Sequence, residues 1–321
     1  MKVLGPHLDV GSGMSLSSGS SLSFRNKLIN GIPLIGQRGA VAIAAGASAY
    51  GPDRWLLTNN TNQSVTFDLY QYNGWSKSLR IYPTGTAPTT GSVVVEQRIE
   101  NAVSLSPQAR GCDGNATLYT EVDGYDPTIV LRQCFGTGGS PSSNVDTTLT
   151  VAKTSLGGSV NKYVGSVAVP SVSAKTFGSN NDHYTSLMFT VAVRSATCNI
   201  LISQLEPGAV NTTIEAPDIG YVLARCQRYY EVIGGAGDFP IISCYSSASG
   251  QYIYTGLQFS VPKRAVPTST IIGTWTTTGC SQPGINSSGI NGVEVYILST
   301  STGQATADAG ANKGIAANAE L

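Results

Sequence analysis

Val65-Thr-Phe-Asp-Leu-Tyr-Gln-Tyr72, followed by Asn73-Gly74 and then Leu79-Arg-Ile-Tyr82, decides the fold class. Apolar and polar residues alternate on both sides of an Asn-Gly dipeptide, which tolerates the positive φ angles of a tight hairpin turn. A period of two is that of a strand with one covered face. Upstream, Trp55-Leu-Leu-Thr58 reads as a further strand. Downstream follow Val93-Val-Val-Glu-Gln-Arg-Ile-Glu100, Thr117-Leu-Tyr-Thr-Glu-Val122, Thr128-Ile-Val-Leu-Arg-Gln-Cys-Phe135 and residues 147–152. Tyr163 to Val169, Ser186 to Val193 and Cys198 to Leu205 bring the number to that of a two-sheet sandwich, in which few strand edges stay exposed.

The composition agrees. Charged residues make up 12% of the 321, about half the usual share, while Gly, Ser, Thr, Val and Tyr are abundant. Nineteen basic residues balance nineteen acidic ones, and no Lys/Arg cluster exceeds a pair such as Lys263-Arg264. Binding driven by the phosphates of nucleic acid therefore has no footing, and no nucleic-acid partner is expected. The start Met-Lys-Val-Leu-Gly-Pro-His lacks an apolar h-region and no run of eighteen apolar residues occurs, so neither secretion by signal peptide nor membrane insertion is expected. Cysteines 112, 134, 198, 226, 244 and 280 are scattered without metal-ligand spacing, and most of them read as buried thiols.

One stretch reads as helix: Glu215-Ala-Pro-Asp-Ile-Gly-Tyr-Val-Leu-Ala-Arg-Cys-Gln-Arg-Tyr-Tyr-Glu231. Asp218 is a good N-cap, and Ile219, Val222, Leu223 and Cys226 at i, i+3, i+4, i+7 predict an apolar face. So short a helix needs neighbours to pack against. Beyond it, Ile241 to Tyr245, Tyr252-Ile-Tyr-Thr-Gly-Leu-Gln-Phe-Ser-Val261, Thr268 to Ile272 and Val293-Glu-Val-Tyr-Ile-Leu298 predict a second, smaller β unit. The expected organisation is an attachment arm over 1–22, a β-sandwich over 23–215, a connecting helix over 216–230 and a C-terminal β unit over 231–321. In the arm, Leu8, Val10, Met14, Leu16 and Leu22 are apolar between Gly and Ser, a stripe that docking on another protein or on further copies would cover.

Catalytic constellations are missing from the sequence. His7 and His183 are the two histidines, and no Gly-x-Ser-x-Gly elbow, Walker loop, His-Glu-x-x-His helix or Cys-x-x-Cys pair occurs. Asp123 and Asp126 flank Gly124-Tyr125, but glycoside cleavage needs two carboxylates held about 5 to 10 Å apart, which spacing in sequence does not establish. Calcium ligation by the same loop is the other reading of those oxygens. No catalytic residue, cofactor or metal is assigned. The positive signal is aromatic: Tyr70, Tyr72, Asn73 and Trp75 cluster around the hairpin, and rings beside amides suit sugars, whose CH groups stack while amides orient hydroxyls. Tyr72, Asn73 and Trp75 are the expected glycan-binding residues. Trp55 reads as packing.

Arg25-Asn-Lys-Leu-Ile-Asn-Gly-Ile-Pro-Leu-Ile-Gly-Gln-Arg-Gly39 and Tyr50-Gly-Pro-Asp-Arg-Trp55 resemble the opening of a family of bacteriophage tail-fibre and virion-appendage proteins. The resemblance continues through Glu96-Gln-Arg-Ile-Glu100, Gln204-Leu-Glu-Pro-Gly208, Cys226-Gln-Arg-Tyr-Tyr230, Val261-Pro-Lys-Arg-Ala-Val-Pro267 and Asn318-Ala-Glu-Leu321. It implies a jelly-roll of the carbohydrate-binding-module kind on a phage particle. The chain departs from the pattern at Gly36, where an aromatic is usual, and at Glu215-Ala-Pro217, where Glu-Arg-Arg is usual. The functional expectation is a non-enzymatic virion protein, tail fibre, spike or similar appendage, that binds host surface polysaccharide. It would be made and assembled in the host bacterial cytoplasm, trimeric, and joined to other virion proteins through residues 1–22. The alternatives are a purely structural capsid-decoration or adaptor protein and, behind it, a glycan depolymerase.

Overall fold

The computed structural model describes residues 7–9, 15–17, 25–72, 77–105, 112–121, 126–192, 197–234, 240–311 and 313–321. The fold is all-β, with one α-helix among the described residues. Near the N-terminus, His7–Asp9 and Ser15–Ser17 pair antiparallel with Leu8 opposite Leu16.

Two antiparallel sheets face each other. The six-stranded one runs Val145–Thr148, Thr128–Cys134, Tyr184–Val191, Val93–Glu100, Leu56–Asn59, Ser48–Tyr50. The seven-stranded one runs Thr150–Gly157, Val160–Val169, Cys112–Glu121, Cys198–Pro207, Ser78–Pro83, Val65–Tyr70, Val41–Ile43. The connectivity is a jelly-roll. Strands beginning at 78, 93, 112 and 128 alternate between the sheets, and the chain then returns in reverse order, each outgoing strand pairing with a returning one. The hairpin at the head of the sequence reading is present, with Val65 opposite Pro83 and Tyr70 opposite Ser78; the Asn73-Gly74 turn lies outside the described residues.

Alternation decides what fills the space between the sheets. In Thr128–Cys134, Ile129, Leu131 and Gln133 are buried while Thr128, Val130 and Arg132 face outward. Phe67, Leu79, Ile81, Val95, Leu118, Leu187 and Phe189 join them, with Trp55 fully buried and its indole N–H donating to the Asn30 carbonyl at 3.1 Å. Each such side chain contributes about 1.5 to 3 kcal/mol of burial.

The helix runs Ile219–Gln227, and the Asp218 carboxylate caps it by accepting from the Gly220 and Tyr221 N–H groups at 2.8 and 3.3 Å. Its buried stripe is narrower than the i, i+3, i+4, i+7 spacing predicts. Val222 and Cys226 pack with Ile29, Ile35 and Tyr229, Leu223 is half-buried, and Ile219 is 57% exposed. No described helix is long and apolar enough to cross a membrane.

Three three-stranded antiparallel sheets follow. Gly314–Asn318 is central between Tyr230–Ile233 and Thr268–Ile272, Gly303–Asp308 between Pro240–Ser246 and Thr276–Thr278, and Gly292–Leu298 between Tyr252–Gln258 and Gly284–Ser288. Ile242, Trp275, Val293, Val295, Ile297, Ala305, Ala307, Ile315 and Ala317 form their common core.

Between the two cores, residues from distant parts of the chain meet in a buried polar network. Glu320 pairs with the fully buried Arg54 and, at 3.3 Å, with Arg38. Arg54 lies 3.4 Å from the centre of the Tyr229 ring and Arg38 lies 3.5 Å from that of Tyr230, so each of the tandem tyrosines carries one guanidinium. The Leu321 carbonyl accepts from Tyr50 Oη at 2.8 Å and from Arg98 at 2.6 Å. Gln37 donates to Asp53 at 2.5 Å and to the Tyr230 carbonyl at 2.9 Å, while Arg264 reaches the Ala319 carbonyl at 3.1 Å. Lys263 is buried against Glu231 at 2.5 Å. Burial and the Glu320 charge push the Tyr50 hydroxyl up to about 12, so it stays a donor at neutral pH.

Candidate functional site

Of the residues expected to bind glycan, Tyr72 is described and half-buried just beyond the strand Val65–Tyr70, whereas Asn73 and Trp75 lie outside the described residues. The aromatic surface next to Tyr72 is already occupied. Arg80 lies 4.0 Å from the centre of the Tyr70 ring and 4.5 Å from that of Tyr82, with Asp68 accepting from it at 2.9 and 2.5 Å. A guanidinium on the ring faces leaves less of them to a sugar. Asp126, weighed above as an acid or a calcium ligand, accepts from Lys153 at 2.5 Å and Tyr163 at 2.8 Å; Asp123 lies outside the described residues. His183 accepts the Ala102 N–H at 3.2 Å and packs on Phe177. These contacts are structural.

An open aromatic face lies on the smaller β unit. In Tyr252–Gln258, Ile253 and Leu257 turn toward the core, which puts Tyr252 and Tyr254 on the opposite side at 59% and 51% exposure. The central strand Gly292–Leu298 follows the same rule: Val293, Val295 and Ile297 are buried, so Glu294 and Tyr296 face outward. Register brings the rings together, with Tyr254 directly opposite Tyr296. Ring centres are 6.2 Å apart for Tyr252–Tyr254 at an interplanar angle of 23°, 5.6 Å for Tyr252–Tyr296 and 6.1 Å for Tyr254–Tyr296. On the far side Tyr296 faces Gly284, whose missing side chain lets the ring lie across the third strand. Gly256, next along from Tyr254, has open space where a Cβ would stand.

A polar edge adjoins the rings. Glu294 is opposite Gly256 on one side and Ser287 on the other, and Asn286 donates to its carboxylate. Three adjacent rings beside one carboxylate and one amide offer CH–π stacking to a sugar ring together with acceptors and donors for its hydroxyls. Glu294 is the single carboxylate on these three strands. Among the described residues no group of histidine, cysteine, aspartate and glutamate is placed to hold a metal ion.

No family model and no curated protein matches the chain. Solved structures do. One is the enzymatically active domain of tailspike protein 4 of bacteriophage CBA120, 12% identical, with 57% of this chain and 21% of that chain covered at a TM-score of 0.30. Another is the CBM22-1 xylan-binding domain of Paenibacillus barcinonensis Xyn10C, 11% identical, with 56% of this chain and 92% of that chain covered, again at 0.30. The chain thus spans about a fifth of the tailspike domain. At a TM-score of 0.30 neither likeness assigns a function to this chain.

The tyrosine face was missed in the sequence although its signal is there. Tyr252 and Tyr254 alternate with Ile253, and Glu294 and Tyr296 alternate with Val293, Val295 and Ile297. What the sequence lacks is the pairing that sets one strand beside the other.

Proposed function

We propose that the chain is a phage virion appendage protein that binds host surface glycan without cleaving it. The observation that carries the reading is the exposed face formed by Tyr252, Tyr254 and Tyr296 beside Glu294 and Asn286. The virion setting is supported by the family resemblance of residues 24–321. Tyr72, Asn73 and Trp75 belong to the proposal as a second contact on the sandwich, and residues 1–22 as the attachment to other virion proteins in a trimer. A shallow aromatic face buries little area, so each copy should bind at millimolar to micromolar affinity, about 4 to 8 kcal/mol. Several copies on one particle then raise the effective concentration.

The test is titration of the full chain with oligosaccharides from host surface polysaccharide, followed by calorimetry or by NMR of the tyrosine resonances. Tyr254→Ala should weaken binding about tenfold, on the order of 1.4 kcal/mol, and leave the melting temperature in place, since the ring is exposed. Trp75→Ala tests the second contact through particle adsorption. Normal binding by a Tyr252→Ala/Tyr254→Ala protein would remove the tyrosine face from the proposal; normal adsorption by both variants would favour a decoration or adaptor role.

A further inference from the structure

A cleft of about 240 Å³ opens where the strand Val93–Glu100 passes the C-terminal end of the helix. Lys27, Arg98, Arg225 and Arg228 line it against a single carboxylate, Glu100, a local excess of positive charge in a chain that carries nineteen residues of each sign. That carboxylate is engaged: Glu100 accepts from Arg228 at 3.2 and 3.1 Å, and the Tyr229 hydroxyl bonds to it as well. Arg98 is held by Glu96 at 3.2 Å and by the Leu321 carbonyl. Lys27 and Arg225 are different. Both are half-buried, and among the described residues neither has a carboxylate within ion-pair distance; Arg225 has the Tyr221 ring at 5.5 Å. The apolar walls are Ile29 and Ile99.

We infer that this cleft binds a small oxyanion-bearing ligand, with the carboxylate of an acidic sugar or a phosphate group held between Lys27 and Arg225. Two half-buried cations facing one concavity repel each other, and an anion placed there relieves the repulsion while making charge-assisted hydrogen bonds to both. The volume is slightly below the range of about 300 to 1,000 Å³ typical of drug-sized ligand sites, so it suits one sugar ring or one phosphate, not an oligosaccharide. Ile29 and Ile99 offer the apolar contact that the CH groups of such a ring need. The site stands apart from the tyrosine face in sequence and in ligand charge, and does not depend on it.

The test is calorimetry on the full chain at low ionic strength with three probes: glucuronate, glucose and inorganic phosphate. Glucuronate or phosphate should bind and glucose should not; glucuronate alone assigns the site to acidic sugar, and phosphate alone assigns it to phosphate. Lys27→Gln/Arg225→Gln should weaken that binding by about tenfold or more, and Lys162→Gln/Lys175→Gln, equal in charge change but outside the cleft, should not. Glu100→Gln removes the lining carboxylate and releases Arg228, so it should tighten binding. Tyr254→Ala should leave it unchanged. Failure of both anions to bind, equal heats from glucose, or an anion affinity unchanged in Lys27→Gln/Arg225→Gln overturns the inference.

Discussion

A Cβ on Gly284 would fall 2.5 Å from Cζ of Tyr296, closer than real side-chain carbons approach. The backbone there needs no left-handed conformation, so the absence of a side chain serves the ring above it. Cζ and Oη are the far end of a flexible side chain, and the ring can move aside at small cost to folding. Gly284→Ala should therefore leave the melting temperature within about 2 °C of the parent, a shift worth under ~1 kcal/mol. It should still weaken glycan binding severalfold, because the displaced Tyr296 no longer lies beside Tyr252 and Tyr254. Equal affinities for the two proteins would mean that the third ring is not part of the binding surface.

The pair between Arg54 and Glu320 joins residues 266 apart in sequence, and both side chains are buried. Removing one partner from a buried pair leaves an uncompensated charge, which costs about 3 to 5 kcal/mol. Glu320→Gln should lower unfolding stability by that order, as measured by denaturant titration. The exposed pair Arg132–Asp146 provides the contrast, since its side chains are 30% and 45% accessible. Asp146→Asn should cost less than about 1 kcal/mol. Similar losses for the two variants would show that the network between the cores is not a buried clasp.

Much of this architecture is legible in the sequence because it is local. Alternation in residues 65–72 fixes a strand, the Asp218 cap fixes where the helix begins, and the apolar setting of Trp55 marks it as core. What escapes a single sequence is any property set by a distant partner. Ile219 satisfies the helical period but meets solvent, because Ile29 and Ile35 cover only the rungs at Val222 and Cys226. Tyr254 and Tyr296 are each visible on their own strand, and only the pairing of those strands turns them into a surface. The stretches around Asp53-Arg-Trp55, Tyr229-Tyr230 and Glu320 stand far apart in the sequence, and only the fold brings them into contact.

Acid titration should report the junction between the sandwich and the helix. Burial draws the Glu100 carboxyl upward, but hydrogen bonds from Arg228 and Tyr229 and the charges of Arg228 and Arg264 outweigh it, and the group lies below its ordinary value of 4.5. A depressed carboxyl stabilises the fold in full above its unfolded value, and that stabilisation fades as pH falls through the folded one. The parent should lose thermal stability below about pH 4.5 partly through this group. Glu100→Gln should start from a lower melting temperature at neutral pH and descend less steeply in acid. Parallel curves for the two proteins would show that Glu100 does not contribute to the acid limb.

The narrow buried stripe of the helix makes a directional prediction about its two ends. Val222 is packed between Ile29, Cys226 and Tyr229, so Val222→Asp places an unpaired carboxylate in an apolar contact, where the cost of burial exceeds what a marginal interface tolerates. That variant should be insoluble or should melt far below the parent. Ile219→Asp introduces the same charge one turn earlier, on a side chain that is already 57% exposed and lies in the first turn of the helix. There the charge is hydrated, and the positive end of the helix dipole favours it by about 0.3 to 1 kcal/mol. Ile219→Asp should fold with unchanged or slightly higher stability, and Leu223→Asp should fall between the two. Equal damage from Ile219→Asp and Val222→Asp would show that the apolar stripe the helix needs is wider than its two buried rungs.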